Sequence, residues 1–142
     1  MNNTTLEASD LTYLTAFDEC LTGTARAPYV TRYDDPNLIY LVSGRTGLVV
    51  IDHGDGRIEA GGLFNGGPKG AGLALLDFAI VNYGVNYVEC FSPLERVYQR
   101  VGFRLESSSP WDWDYAPQHW HPSLGTPDYN TMTYAPDRPA DF

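Results

Sequence analysis

Lysine is almost missing from this chain: one residue, Lys69, stands among 142, and lysine and arginine together number nine against eighteen acids, a formal charge of −9. That balance excludes recognition of nucleic acid through its phosphates, which needs clustered cations. It leaves room for a cationic partner such as an amine. The two cysteines, Cys20 and Cys90, are too few for a disulfide framework. Apolar runs long enough to cross a bilayer are lacking, so no membrane partner is expected, and the polar start Met1-Asn2-Asn3-Thr4-Thr5 reads as neither signal nor transit peptide. The expectation is a soluble, cytoplasmic protein. Histidines are scarce too. His119 and His121, two apart with no acidic or thiol third ligand nearby, make a weak metal motif, and no metal site is expected.

What is present suits a globular core: 43% hydrophobic and 19% charged residues, with ten tyrosines and three tryptophans that could line a broad cleft. Neither repeats nor linkers break the chain. It reads as one α+β domain over residues 1–142, with 135–142 a flexible tail.

Ser9 or Asp10 could cap a first helix carrying Leu11, Leu14, Phe17 and Leu21 on one face, stopped at Gly23. Residues 24–37 are loop-like, with short extended structure at Tyr29-Val30-Thr31. Leu38–Val42 and Leu48–Ile51 form a hairpin, and Asp55-Gly56 is a second turn. A strand from Arg57 to Asn65 leads into the glycine-dense stretch Gly66-Gly67-Pro68-Lys69-Gly70-Ala71-Gly72, and a helix from Ala71 to Tyr83 stops at Gly84. A strand over Val85–Phe91 and a short helix from Leu94 to Val101 come next. Phe103–Glu106 starts another strand, 107–128 is a long loop, and Asn130–Tyr134 is the last strand.

A strand, a glycine turn and a helix start together make a phosphate cradle. Glycine lets the backbone approach closely, and the first-turn N–H groups face an anion along the helix dipole. A P-loop NTPase is excluded, because no Ser or Thr comes after Lys69 and the glycine spacing is wrong.

Two motifs carry a resemblance. Gly67-Pro68-Lys69-Gly70-Ala71-Gly72, with Leu75 one turn on, is similar to the pyrophosphate loop Q/R-x-x-G-x-G/A of the Gcn5-related N-acetyltransferase superfamily, except that Gly67 replaces Gln or Arg. Tyr87–Phe91, then the helix containing Tyr98 and closing on Gly102-Phe103, resembles the superfamily's second motif. The likeness runs from about Leu38 to Phe103, and the chain's ending further resembles small transferase-like domains common in bacteriophage genomes.

The resemblance implies a mostly antiparallel mixed sheet, splayed at the cofactor site and flanked by helices, although the family's N-terminal strand is hard to place here. It implies acetyl transfer, or transfer of another short acyl group, from acyl-coenzyme A to an amine in a ternary complex. Backbone N–H groups at Leu63, Phe64 or Asn65 would face the thioester oxygen, worth roughly 2.7–4 kcal/mol per donor in comparable sites. Those of Lys69, Gly70, Ala71, Gly72 and Leu73 would hold the diphosphate, with Gly67 at the loop's entry. Tyr98 matches the tyrosine that protonates the departing thiolate, or is a core tyrosine. Glu59 matches the position of a glutamate base, or is a solvated edge charge; Asp52, His53 and Glu89 are alternatives. Cys90 is more simply a buried structural thiol than a nucleophile. Trp111-Asp112-Trp113-Asp114-Tyr115 could wall an acceptor pocket or pack as a loop. Arg96, Arg100 and Arg104 form a basic stripe, most simply ion-paired at the surface. Such domains frequently form homodimers, and a non-catalytic binding or inhibitory module, phage-encoded and aimed at a host protein, is the rival reading.

Overall fold

The computed structural model describes residues 6–25, 27–117 and 120–139. Seven strands form one mixed sheet in the order β1-β2-β3-β4-β5-β7-β6. They are β1 (Glu7–Ala8), β2 (Ile39–Ser43), β3 (Thr46–Asp52), β4 (Ile58–Asn65), β5 (Tyr87–Phe91), β6 (Phe103–Ser109) and β7 (Tyr129–Tyr134). Three helices join them: α1 (Asp10–Leu21), α2 (Ala71–Tyr83) and α3 (Glu95–Gln99). Every neighbouring pair is antiparallel except β4 and β5, which run parallel across the α2 crossover.

Alternation along the strands feeds two cores. Leu41, Leu48, Val50, Ala60, Val88, Cys90, Phe103 and Met132 face α2 and α3, where Leu75, Leu76, Ala79 and Tyr98 complete the first. Tyr40, Val49 and Phe64 face α1 and its Tyr13, Phe17 and Leu21. Ser9 caps α1 by accepting from the Thr12 amide at 3.1 Å. The buried face of α1 repeats every four residues from Tyr13, leaving Leu11 72% exposed instead of in the expected stripe. The hydroxyl of Tyr13 donates to the Gly62 carbonyl, which fixes that rotation of the helix.

The family's first strand exists, but only as Glu7–Ala8 against Leu41 and Tyr40, with Val42 N–H donating to Leu6 O at 2.9 Å. Two residues carry no readable alternation. Residues 27–29 form a 3-10 turn, and Tyr29-Val30-Thr31, expected to be extended, belongs to no strand. Strand β6 continues through three serines, residues of low strand preference, because Ser107 and Ser108 bond across to Thr131 and Asn130 on β7. After β7, Ala135 N–H donates to Gly102 O at 2.9 Å, and Arg104 Nε donates to Arg138 O at 2.6 Å. Arg104 is therefore no surface ion pair: it is buried, and its Nη1 donates to the carbonyls of Gln99 and Phe103.

Candidate active site

Strands β4 and β5 meet only at their first residues. Asn86 N–H donates to Ile58 O and Ile58 N–H to Asn86 Oδ1, both at 2.9 Å, and Glu59 pairs with Tyr87. Beyond that pair β4 and β5 form no further ladder pair, so the two strands part from Ala60 onward. A bulge parts them. Between the pairs Gly47–Phe64 and Val49–Gly61, β4 spends one residue more than β3, with Gly62 at φ +57°. A bulge bends its strand and re-aims the residues beyond it. Leu63, Phe64 and Asn65 lie past the bulge; Phe64 points into the α1 core, and Leu63 packs against the other.

Asn65 ties the glycine loop down. Its Oδ1 accepts from Thr46 Oγ1 at 2.7 Å and from the Gly67 amide at 2.9 Å, while its Nδ2 donates to Pro68 O at 3.0 Å. Gly70, at φ +90°, turns the chain into α2 without a side-chain cap. Ala71 N–H donates to Pro68 O and Ala74 N–H to Gly70 O. The amides between them, of Gly72 and Leu73, have no acceptor among the described residues. Unpaired first-turn donors, on buried Gly72 and half-buried Leu73 just behind the exposed residues 66–70, suit a phosphate group. Lys69 is exposed beside them. A Cβ on Gly67 would lie 3.3 Å from Thr46 Oγ1, a close contact at an otherwise exposed residue.

Tyr98 on α3 is part of the core between the sheet and α2, 8% exposed, its ring edge-on to Phe103. Its hydroxyl has no hydrogen-bond partner among the described residues. Burial, then the nearby Cys90, Glu59 and Tyr33, push the phenol above the ordinary tyrosine pKa. Cys90 is buried against Met132 Sδ at 3.9 Å, and burial pushes its thiol up to about 12. Because thiolate is the reactive form, Cys90 is a poor nucleophile at neutral pH. Cys90→Ala is expected to leave turnover within about threefold of the parent, with no acyl adduct on the intact parent by mass spectrometry. A covalent acyl-Cys90 species would contradict this.

The opposite face is acidic. Glu59 is 6% exposed, so it is not a solvated edge charge. Its Oε1 lies 2.8 Å from His53 Nε2, whose side chain is 28% exposed. Burial raises the Glu59 pKa; the hydrogen bond from His53 opposes this, and Glu89 adds to it. Glu89 accepts from Tyr87 at 2.7 Å and from Tyr129 at 2.9 Å. Tyr33 presses on Gly61, where a Cβ would come within 2.8 Å of its ring. Burial, then Glu59 and Glu89, raise its pKa. Asp52 turns its carboxylate to the Gly54 amide at 2.8 Å in the hairpin turn.

Above Glu89 opens a cleft of about 1460 Å³, walled by the end of α1, residues 27–32 and the loop after β6. Phe91, Trp111, Trp113 and Tyr129 are among its lining side chains. Tyr129 belongs both to this wall and to the Glu89 cluster.

The structure thus places Leu63–Asn65 at the end of β4 leading into the 67–73 loop, buries Glu59 at the start of β4 and Tyr98 on α3 within electrostatic reach of each other, and sets Trp111 and Trp113 on a separate cleft. Sequence reasoning missed Tyr33, which belongs to no motif. The glycine pair Gly61-Gly62 within a strand does signal a close approach, but not by which residue. His119 lies outside the described residues, and among them no cluster could hold a metal. Nor, among them, is any helix long and apolar enough to cross a membrane.

No family model matches the chain, and no curated protein matches it. Solved structures do. An IAA acetyltransferase from Bacillus cereus ATCC 14579 superposes with a TM-score of 0.59 at 18% identity, over 89% of this chain and 95% of the other. A proposed N-acetyltransferase from Lactobacillus plantarum gives 0.54 at 15% identity, over 88% and 90%. With its parallel β4–β5 pair, bulge, gap and loop-to-helix turn, the chain has the fold of the Gcn5-related N-acetyltransferases.

Proposed function

We propose that the protein is an N-acyltransferase that moves an acetyl or other short acyl group from acyl-coenzyme A to an amine. The observation that supports this is the parting of β4 from β5 after the single pair Glu59–Tyr87, together with unpaired Gly72 and Leu73 amides at the start of α2 and the burial of Glu59 and Tyr98. Both fold neighbours carry acetyltransferase names, which supports the same reading.

Acyl-coenzyme A supplies an activated thioester. The chain's part is to hold it and manage protons. The amides of Lys69, Gly70, Gly72 and Leu73 grip the diphosphate, that of Ala71 being held by the Pro68 carbonyl, with Lys69 adding charge and Gly67 at the entry. The edge of β4 at Leu63, Phe64 and Asn65 offers N–H groups where negative charge develops on the carbonyl oxygen. Glu59, made more basic by burial, takes a proton from the incoming ammonium, and His53 connects that carboxyl to solvent. As the nitrogen bonds to the carbonyl carbon and the carbon–sulfur bond breaks, Tyr98 donates its hydroxyl proton to the departing sulfur, and the second proton shed by the nitrogen as it becomes an amide restores the phenol. Its raised pKa keeps it protonated throughout the working range, and the sulfur anion, desolvated in the same gap, is made more basic too.

Tyr98→Phe is expected to lower kcat about 10²-fold, within the usual range for a positioned acid, while changing the dissociation constant for coenzyme A less than threefold. Stopped assays of free thiol release, run beside calorimetry with coenzyme A, measure both. Thiol release unchanged in this variant would remove Tyr98 from the reaction. Neither heat nor thermal shift with any acyl-coenzyme A would end the proposal.

A further inference from the structure

The walls of the cleft above Glu89 select among amines. Given the acyl-transfer reading, we infer that the acceptor is a primary amine on a flat aromatic body, carrying one positive charge and no carboxylate. The rings come first. Phe91, Trp111, Trp113 and Tyr129 contact one another in series at centroid distances of 5.8, 5.1 and 5.1 Å, for Phe91–Trp111, Trp111–Trp113 and Phe91–Tyr129. All four line the cleft, and Trp113 is 55% exposed at it. Offset and edge contacts reward another ring placed among them.

Charge narrows the choice. Arg32 and Asp18 both line the cleft and satisfy each other in a bidentate pair, Nε and Nη2 each 3.0 Å from the carboxylate oxygens. A second ammonium on the substrate would find Asp18 already paired and Arg32 beside it. A substrate carboxylate would find Arg32 already paired and would meet the field of Glu89 and Glu59, which do not line the cleft but lie behind its wall residue Tyr129. Asp112, the other wall acid, accepts from the Asp114 amide at 2.9 Å. One ammonium directed at the Tyr129 side, toward Glu89 and Glu59, meets neither penalty. Size agrees: about 1460 Å³ exceeds the roughly 300–1,000 Å³ of common small-ligand pockets, so a bare alkylamine would leave the rings wet.

The test compares tryptamine, butylamine, spermidine and L-tryptophan in the acetyl-coenzyme A thiol-release assay, with calorimetry of each amine into the coenzyme A-loaded chain. Tryptamine should exceed the other three at least tenfold in kcat/KM. Trp111→Ala and Trp113→Ala should each raise its KM about five- to tenfold with coenzyme A binding unchanged. Trp113 is the more exposed ring and its removal disturbs the fold less, so that variant decides. Equal or better use of spermidine, butylamine or L-tryptophan overturns the inference while acyl transfer stands, as does a tryptamine preference that survives both variants. If no amine releases thiol, tryptamine heat that Trp113→Ala abolishes and spermidine does not give would uphold the ligand class and overturn the transfer reading. Absence of tryptamine heat would overturn the inference.

Discussion

Glu59→Gln should lower kcat/KM by about 10²–10⁴-fold, the usual contribution of a general base, without unfolding the chain. Glutamine keeps the size of the side chain and a hydrogen bond to His53, but cannot take a proton. The pH profile gives an independent check. A base must be ionised, so the acidic limb of kcat/KM should rise through a pKa above the ordinary glutamate value, because burial destabilises the anion. Stability has the opposite sign. A carboxyl whose folded pKa is raised binds more protons folded than unfolded, so its contribution is fullest below the unfolded pKa and is lost as pH rises through the folded one. Glu59→Gln should therefore melt at or above the parent temperature at pH 8. A variant that melts lower at pH 8, with unchanged turnover, would make Glu59 a structural residue. The combination expected, an inactive yet equally stable protein, is the mark of a site that trades stability for function.

The second large effect concerns the bulge. Gly62→Ala places a Cβ 2.3 Å from the Tyr13 hydroxyl and 3.2 Å from Thr31 O, at φ +57°. The left-handed backbone costs alanine roughly 1–2 kcal/mol. Driving Tyr13 off the Gly62 carbonyl strands a buried hydroxyl, roughly 1–3 kcal/mol more. About 3 kcal/mol or more in total lowers Tm by roughly 10 °C for a domain of this size. Gly44 is the control: its φ of +60° is similar, but a Cβ there meets nothing within 4 Å. Gly44→Ala should cost only about 1–2 kcal/mol. Thermal unfolding of both variants separates steric crowding from backbone strain; equal losses would mean that the Tyr13 contact contributes nothing to the bulge. Because the bulge turns β4 away from β5, residual folded Gly62→Ala should also bind coenzyme A more weakly.

Much of the fold could be read from local rules. Ser9 begins and Gly84 ends its helix where capping chemistry places them, and the β2–β3 hairpin arises from its aliphatic runs, whereas α3 spans only Glu95–Gln99 and stops short of Gly102. The glycine loop was legible because anion binding at a helix start needs particular backbone shapes, and Gly70 does adopt one at φ +90°. Long-range partners were not legible. Nothing local says that Arg104 points inward to carbonyls, that Tyr33 lies on Gly61, or that Glu59 is roofed over while Asp52, seven residues earlier, caps its own turn. Strand β1 escaped because two residues cannot show a period. The acidic cluster escaped because its members, Glu59, Glu89, Tyr33 and Tyr129, come from four separate segments joined only by the sheet.

Amide chemical shifts during a titration of the isotopically labelled chain with coenzyme A test the central claim most directly. The largest shifts should fall on Gly70, Gly72 and Leu73, with a second group on Leu63 to Asn65 along the open edge of β4. Saturating coenzyme A with those amides unmoved, or with the shifts confined to the aromatic cleft, would contradict it.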